Sequence, residues 1–331
     1  MIKKFQASAV AKVAYGLLFL LCLLLPIACS QQSIGKPITV AISPWPGYAS
    51  QWVAMEKGMF KDEGLEVKEL FFNTQTESDD TFVTGKADLN WVGMPNTVPQ
   101  ISRDSSIKVI FQCDYSNGAD GILGRNIKTA ADLKGKKVAR EDILFEEIML
   151  RKYLEKLGLP RNQVSVLNMS AADSAAAFAA GKVDLAVTFE PWLTKAAKEG
   201  KGEIVFSTKD TNLIADVVTA RAEFIENNKD ALVAYIRALD KAIKLIKEKP
   251  DETAPIIAKK LGVKPEEVAD QLAGVKLYDL EMNQTISFNP ANPMNLYDSL
   301  EFAARIAKET KLIPQMIDVQ SGLDESLIKS F

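Results

Sequence analysis

Hydrophobic positions along the chain follow two alternating patterns, short β-branched runs and longer runs with helical spacing. The run Ile38–Ile42 predicts a strand, and Ser50–Lys57, which is stopped by Gly58, predicts a helix. Further strands are predicted at Leu65–Phe72, Asp88–Val92, Ile107–Cys113, Lys137–Ala139, Val164–Leu167, Leu185–Thr188, Ile204–Phe206 and Ala215–Thr219. Further helices are predicted at Asp79–Thr84, Glu146–Leu157, Ala171–Ala180, Pro191–Lys198 and Ala231–Lys247. Strands separated by helices predict an α/β fold with helices on the faces of parallel sheets.

One stretch of the sequence occurs twice. Phe82–Leu89 and Phe178–Leu185 share their Phe, Gly-Lys and Asp-Leu positions at a constant offset. Each copy ends a predicted helix at glycine and then enters a predicted buried strand. Gly-Lys is a common way to stop a helix, but the match at five positions favours a repeated unit. The sequence therefore predicts two similar α/β lobes, each of which delivers a strand end into a common cleft.

The composition limits the chemistry that the chain can perform. None of its 331 residues is histidine, which removes Ser-His-Asp and Cys-His nucleophilic catalysis and nearly all zinc sites. Its 40 basic and 43 acidic residues are interspersed, with a formal charge of −3, so we expect no nucleic-acid partner. No glycine-rich phosphate or dinucleotide motif occurs, so we expect no cofactor. An enzyme built on carboxylates, Lys or Tyr stays open at this point.

The beginning of the chain has the pattern of an export signal. A basic segment precedes the apolar run Val13–Leu25, which is shorter than the roughly 20 residues of a membrane-spanning helix. Small and apolar residues then lead to Cys29, as in a bacterial lipobox, although an ordinary signal that ends near a cysteine has the same pattern. We expect residues 1–28 to be a signal peptide, Cys29 to be lipidated, and residues 29–36 to be a tether. Cys113 is then a lone buried thiol.

Several motifs resemble one known family, in the same order along the chain. They are Ala54–Val67, Ala131–Val138, Gly181–Val187 and Glu190–Trp192. Together they resemble the nitrate/sulfonate/taurine (type II) family of periplasmic binding proteins, over about residues 37–310.

The resemblance implies a two-lobed fold with parallel or mixed sheets and a hinge, closing on a small solute. It further implies a cognate ABC permease and ATPase as partners, and a monomer at the extracytoplasmic face of a membrane. The expected lobes are residues 37–120 and 216–331 for the first, which includes the C-terminal helices, and residues 121–215 for the second. The family also contains a thiamine-pyrimidine synthase, so an enzyme is an alternative. Such enzymes depend on a histidine, which this chain lacks, so we expect no catalytic residues.

The chain departs from the family where the ligand is expected. Anion-binding members usually have a Gly/Ser/Thr-rich turn after the Lys-Val strand, whose hydroxyls and helix N–H groups hold the anion. Here the segment Ala139–Glu147 contains four acids, which would repel an anion. Acids in a first helical turn also stabilise a helix, which is the simpler explanation for Glu146 and Glu147. We therefore place Glu141 and Asp142, but not the later pair, in the predicted site.

Other acids and most aromatic side chains point to the same cleft. Acids follow or border predicted strands, and tryptophans cluster in the first loop and after later strands, although Trp91 would equally suit a core. The predicted ligand-binding residues are Trp45, Tyr48, Trp91, Asp114, Asp120, Glu141, Asp142, Glu190, Trp192 and Asp216. No metal site is expected.

Aromatic faces together with carboxylates are what a small organic cation requires. The resulting hypothesis is a solute-binding lipoprotein of an ABC importer that captures a nitrogen-rich cation resembling guanidinium. The alternative is a small anion or zwitterion such as nitrate, a sulfonate or taurine, held by Arg140 and helix N-termini. A sensor lipoprotein that transports nothing is a more distant alternative.

Overall fold

The computed structural model describes residues 36–209, 211 and 213–331. The predicted signal peptide, Cys29 and all but the last residue of the tether lie outside these residues. Among the described residues, no helix is both long enough and apolar enough to cross a membrane.

Eleven strands form two mixed sheets within the described residues. In chain order they are β1 (Ile38–Ile42), β2 (Val67–Phe71), β3 (Leu89–Gly93), β4 (Ile107–Ser116), β5 (Asp120–Gly124), β6 (Lys137–Arg140), β7 (Ser165–Asn168), β8 (Leu185–Phe189), β9 (Glu203–Ser207), β10 (Ala215–Arg221) and β11 (Val275–Leu277). The first sheet has the order β11-β4-β10-β3-β1-β2, and the second has the order β7-β6-β8-β5-β9.

The two sheets are built alike. In the first, β1 pairs in parallel with β2 and β3, and β10 runs antiparallel between β3 and β4. In the second, β6 pairs in parallel with β7 and β8, and β5 runs antiparallel between β8 and β9. The chain passes between the sheets twice, from β4 to β5 and from β9 to β10. A hydrogen bond of 2.7 Å joins these crossings, between the hydroxyls of Ser116 and Thr208.

Helices surround both sheets. In chain order they are α1 (Ala49–Glu56), α2 (Met59–Asp62), α3 (Gln75–Val83), α4 (Met94–Arg103), α5 (Ala130–Leu133), α6 (Leu144–Lys156), α7 (Ala171–Ala179), α8 (Trp192–Glu199), α9 (Ala222–Asn227), α10 (Lys229–Glu248), α11 (Pro250–Leu261), α12 (Val268–Ala273), α13 (Leu280–Met282), α14 (Leu296–Glu309) and α15 (Val319–Gly322). Short 3-10 turns lie at Pro46–Tyr48, Arg161–Gln163, Pro265–Glu267 and Ile328–Ser330, and a π turn at Asn283–Ser287.

Strand β8 illustrates why the sheets are covered on both faces. All five of its residues are buried. Leu185 and Val187 pack into one hydrophobic cluster, whereas Ala186 packs into another on the opposite face. Successive side chains of a strand point to opposite faces, so a fully apolar strand needs helices on both sides. The predicted α/β class with flanking helices is confirmed, and the sheets are mixed.

Most predicted elements are present. The helix starts are set by polar side chains that accept the first N–H groups, and the hydrophobic pattern does not show these starts. Helix α3 begins at Gln75 because the Thr74 hydroxyl accepts the Glu77 N–H at 3.2 Å. Helix α6 begins at Leu144, where the Asn96 side-chain oxygen accepts the Leu144 N–H at 3.1 Å. Strands β5 and β11 were not predicted from the sequence. The predicted lobe boundaries stay a prediction.

The repeated stretch occupies the same place in both sheets. Each copy ends a helix at a glycine with positive φ, +78° at Gly85 and +71° at Gly181, and then enters the central strand β3 or β8. The aspartates that follow accept backbone N–H groups of the neighbouring strand. Asp88 accepts from Thr39 at 2.7 Å, and Asp184 accepts from a lysine of β6 at 3.1 Å.

An arginine closes each copy in the same way. Arg221 donates to the Phe82 carbonyl at 2.8 Å and lies 4.7 Å from the centre of its ring. Arg125 donates to the Phe178 carbonyl and lies 3.9 Å from the centre of that ring. The predicted repeat is therefore a structural repeat, extended by two arginines that the sequence comparison did not include.

Candidate functional site

A buried cavity lies where strand ends of the two sheets face each other. About 280 Å³ of space lies between protein atoms there, part of it open to solvent. Both sheets contribute, as expected for ligand sites at strand ends of α/β proteins. Its lining residues are Ser43, Trp45, Tyr48, Gln75, Gly93, Asp120, Phe145, Phe189, Ile214 and Asp216.

Two carboxyl groups face each other beside this cavity, on neighbouring strands. Asp114 of β4 is paired directly with Asp216 of β10, and both are buried. The Trp45 indole N–H donates to Asp114 Oδ1 at 3.1 Å, and the Tyr48 hydroxyl donates to Asp216 Oδ1 at 3.0 Å. The two neighbouring carboxyl groups act on each other's pKa, so their protons are linked. We call these residues the Asp114–Asp216 pair.

Burial decides the protonation of this pair. Loss of hydration raises the pKa of Asp114 to about 8, and the charge of Asp120 adds to the increase. Loss of hydration together with the charge of Asp114 raises the pKa of Asp216 well above its ordinary value. Two carboxylates in contact cannot both ionise without a cation, so the empty pair holds a proton near neutral pH.

A bulge and a glycine place Asp114 in this position. The register of β4 against β10 skips Cys113, so Asp216 faces Asp114 while the next residue of β10 faces Gln112. Asn283 stabilises the bulge, because its side chain accepts the Gln112 N–H at 2.8 Å and donates to the Gln112 carbonyl at 2.9 Å. On the other side, a Cβ at Gly47 would lie 2.0 Å from Asp114 Oδ2, so only glycine lets the loop pass there.

Further acids surround the cavity from the second sheet. Burial raises the pKa of Asp120 to about 7, and the charge of Glu190 adds to the increase. Burial also raises the pKa of Glu146, whose Oε2 accepts the Glu141 N–H at 2.7 Å. Among the described residues, Asp120 Oδ2, Asp216 Oδ2 and Glu146 Oε1 are buried carboxyl oxygens in this region without a hydrogen-bond partner. Buried polar atoms are nearly always paired in folded proteins, so these oxygens are free to accept N–H or O–H groups of a bound solute.

Aromatic rings form the rest of the wall. The ring of Trp45 packs edge-on against Phe189, with centroids 5.8 Å apart, and Phe189 in turn packs against Phe145 and Trp192. Tyr48 packs edge-on against Trp91 at 5.2 Å. These contacts hold the rings in fixed orientations around the acids.

The structure brings six of the predicted site residues to the cavity or its immediate border. Four of them, Trp45, Tyr48, Asp120 and Asp216, line it; Asp114 is bonded to Trp45, and Glu190 acts on Asp120. Trp91 lies behind Tyr48 and donates to the Tyr235 hydroxyl at 3.0 Å. Trp192 packs on the outer side of Phe189 and is absent from the lining.

The two acids predicted from the turn after β6 lie elsewhere. Glu141 is buried, and its carboxylate accepts the backbone N–H of Thr76 at 3.2 Å as well as the Thr76 hydroxyl, which links the second sheet to α3. The Asp142 side chain is 73% exposed and contacts Arg140 at 3.3 Å. Neither residue lines the cavity.

Arg140 also faces away from the cavity. Its guanidinium donates to the Glu141 carbonyl at 2.6 Å and lies 3.1 Å from the Glu147 carboxylate. Among the described lining residues, none is Lys or Arg. In the described part of the chain, no group of three or more Asp, Glu or Cys side chains is arranged to hold a metal ion.

Six uncharged lining residues were not predicted from the sequence, namely Ser43, Gln75, Gly93, Phe145, Phe189 and Ile214, and neither was the nearby acid Glu146. Phe189 stands directly before Glu190, which was a candidate, so its position could have pointed to that ring. Ser43 and Gln75 bond to each other at 2.8 Å and carried no recognisable signal. Glu146 was set aside because a helix start explains an acid equally well.

The fold and the cavity define a class of protein, one with two α/β halves that meet around a buried small-molecule site. The chain belongs to the NMT1/THI5-like family, which it matches over residues 45–253. The expected resemblance to periplasmic binding proteins is thereby confirmed, and individual relatives agree with it.

A putative aliphatic sulfonates-binding protein of Bacillus subtilis is 27% identical over 285 residues, covering 84% of this chain and 83% of the relative. Among solved structures, the periplasmic aliphatic sulphonate binding protein SsuA of Escherichia coli has a TM-score of 0.72 at 18% identity, covering 87% of this chain and 92% of that chain. The periplasmic nitrate-binding protein NrtA of Synechocystis PCC 6803 has a TM-score of 0.70 at 17% identity, covering 89% of this chain and 87% of that chain. The fold is therefore that of periplasmic binding proteins.

Proposed function

We propose that this protein is the extracytoplasmic solute-binding component of an ABC importer, and that its solute is a small nitrogen-rich cation resembling guanidinium. The observation that carries the proposal is the cavity wall, in which buried carboxyl groups with unpartnered oxygens stand without a Lys or Arg among the described lining residues. The family membership and fold support the importer part of the proposal.

Electrostatics favours a cation in this cavity. Burying an ionised carboxylate without a partner costs several kcal/mol, and a cation in contact offsets that cost. An anion would instead oppose the ionisation of Asp120 and Asp216, both of which line the cavity. A bound cation therefore stabilises the ionised form of these acids, whereas an anion does not.

The kind of cation follows from the unpartnered oxygens and the rings. Asp120 Oδ2 and Asp216 Oδ2 are buried acceptors without a donor. A guanidinium ion carries N–H donors around its whole edge, so it can donate to both oxygens. Its planar face can also stack on the ring of Trp45 or Phe189. A quaternary ammonium ion would leave the oxygens unpaired, at a cost of about 1–3 kcal/mol for each group.

A second candidate is a small anion or zwitterion. The names of the relatives, an aliphatic sulfonates-binding protein and a nitrate-binding protein, favour this alternative and give no support to a cation. The difference lies in the cavity of this chain, where the only nearby arginine of the turn, Arg140, is bonded to Glu147. A zwitterion would need its anionic end held by a group other than Arg140.

Isothermal titration calorimetry at low salt separates the candidates. Guanidinium, choline, taurine and nitrate are titrated into the protein without its first 35 residues and into Asp216→Asn. We expect guanidinium to bind most tightly, and Asp216→Asn to weaken it by about 30-fold or more, the usual cost of removing a buried charge partner. The exposed Asp173→Asn removes the same charge outside the cavity and serves as the matched control. Tight binding of taurine or nitrate without guanidinium would overturn the cationic proposal.

The proposal includes a role without catalysis and an anchor at Cys29. Closure of the two halves on the solute captures it, because Trp45 and Asp216 come from the first sheet region and Asp120 and Phe189 from the second.

Radiolabelled palmitate in growing cells should label the full-length protein but not Cys29→Ser. Uptake of guanidinium by whole cells distinguishes transport from a sensor role. Loss of the protein should reduce uptake if it serves an importer, and should leave uptake unchanged if it is a sensor.

A further inference from the structure

The Asp114–Asp216 pair holds a proton in the empty site, and the proposed cation binds at the same place. The two residues are paired across antiparallel strands, so their side chains lie on the same face of the sheet. Both are buried, and each already accepts one hydrogen bond from an uncharged donor, the Trp45 indole or the Tyr48 hydroxyl. Loss of hydration and the neighbouring charge of Asp114 oppose ionisation of Asp216, so the empty pair holds a proton.

No basic side chain compensates the pair among the described residues around it. Lys276 of the neighbouring strand β11 is exposed, and its ammonium lies 5.8 Å from the ring centre of Tyr278 instead. The ionisable side chains that act on the pair are Tyr48 from the first 3-10 turn, Cys113 from β4, Asp120 from β5 and Tyr278 after β11. Each of these four side chains is neutral when protonated and negative when deprotonated. None of them can therefore neutralise a negative charge on the pair, which leaves a proton or an external cation to do so.

We propose that the cation enters this site in exchange for the proton that the Asp114–Asp216 pair holds when the site is empty, an inference that rests on the cationic ligand proposed above. One carboxyl O–H bond breaks, the proton passes to the solvent, and the carboxylate that forms accepts N–H groups of the cation. One positive charge leaves and one enters, so the charge of the buried site is unchanged and no electrons move. Asp216 Oδ2, which is unpartnered in the empty site, gains a donor.

The exchange makes binding depend on pH with a definite sign. The empty protein binds one proton more than the complex, so affinity rises with pH for as long as the empty pair keeps that proton. Across neutral pH, where burial opposes ionisation of the pair, we expect the dissociation constant of guanidinium to increase about tenfold for each pH unit that the pH is lowered. Guanidinium itself stays charged throughout, because its pKa lies above about 12, so the dependence reports on the protein.

Two measurements test the exchange on the wild-type protein. Calorimetry at about pH 7 in buffers of different ionisation enthalpy counts the protons released, and we expect about one for each guanidinium bound. Infrared difference spectroscopy follows the C=O stretch of a protonated carboxyl, which should be present in the empty protein and lost on binding. Asp114→Asn should lose most of the proton release and flatten the pH dependence, whereas the exposed Asp173→Asn should keep both.

The outcomes separate this inference from the proposed function. Binding of guanidinium without proton release, or with the infrared band absent beforehand, would overturn the exchange and leave the cationic ligand standing. No binding of guanidinium at any pH would overturn both. Should Asp114→Asn fail to fold, the pH slope and infrared band of the wild-type protein still decide.

Discussion

Glu146 and Glu147 are consecutive residues of α6, yet their carboxylates lie in opposite electrostatic surroundings. Glu146 points inward, is buried, and has one oxygen without a partner, so its pKa is raised. Glu147 contacts three arginines, Arg151 at 2.7 Å, Arg161 at 2.9 Å and Arg140 at 3.1 Å, and its pKa is lowered. The arginine-paired carboxylate stabilises the fold, whereas the unpaired acids of the cavity are retained at a cost in stability, as binding sites often are.

The largest expected effect is the response of the ligand-free protein to pH. Asp120 and Asp114 have pKa values of about 7 and about 8 in the folded protein, against about 4 when unfolded. The folded state therefore binds more protons between these values, so stability falls as pH rises through that window. We expect the free energy of unfolding in urea to drop by several kcal/mol from about pH 5 to about pH 8.

Saturating guanidinium at a concentration too low to denature should reverse most of this loss at the upper end of the window. A ligand-free protein whose stability rises steadily up to about pH 8 would contradict the raised pKa values of the cavity acids.

Removing the arginine-paired carboxylate should have the next largest effect. Glu147→Gln leaves Arg140, whose side chain is only 9% exposed, without its main partner. We expect a loss of about 2 kcal/mol in the free energy of unfolding near pH 7, the usual contribution of charged hydrogen bonds. Glu155→Gln on the same helix is the matched control, because its ion pair with Lys152 is exposed and contributes less than about 0.5 kcal/mol.

The same substitution one residue earlier should act in the opposite direction. Glu146→Gln keeps an oxygen that can accept the Glu141 N–H and removes an acid that resists ionisation. At about pH 8 we expect a gain of about 1 kcal/mol in the free energy of unfolding, and at about pH 5 almost no change, because the acid is then protonated. Destabilisation at the higher pH would show that the carboxylate is compensated by a group outside the described residues.

The smallest effect is expected at the exposed acid of the same turn. Asp142→Asn should change stability by less than about 0.5 kcal/mol, as exposed substitutions usually do. It should leave the guanidinium affinity within twofold to threefold of the wild type, since Asp142 does not line the cavity. Calorimetry on this variant therefore marks the outer limit of the binding site, and a large loss of affinity would extend the site to the turn.

Part of the site could be predicted because it depends on residues that mark the ends of elements. Trp45 lies between two prolines in a loop, a position that does not favour a core residue. Asp114 and Asp216 lie at the end of a predicted strand or in a predicted crossover. The structure places all three in or beside the cavity. Composition also narrowed the chemistry, since a chain without histidine has few ways to catalyse at neutral pH.

The acidic turn could not be resolved in the same way. Four acids within seven residues are consistent with a binding site, with helix capping and with ion pairs, and a sequence does not say which direction each side chain points. Glu146 and Glu147 differ by one helical step of about 100°, enough to send one inward and the other to arginines at positions 151 and 161. The β-bulge that skips Cys113 has no sequence signal either.

The alternation of strands and helices, the repeat at Phe82 and Phe178, and the family could all be read from the amino-acid order, because they depend on local periodicity and short motifs. Which acids lack a partner depends on the packing of distant segments. Asp114 and Asp216 are about a hundred residues apart, and their contact exists because β10 returns to the first sheet beside β4. Burial, and the lack of a basic neighbour among the described residues, are properties of that packing, and they set the charge that the site can accept.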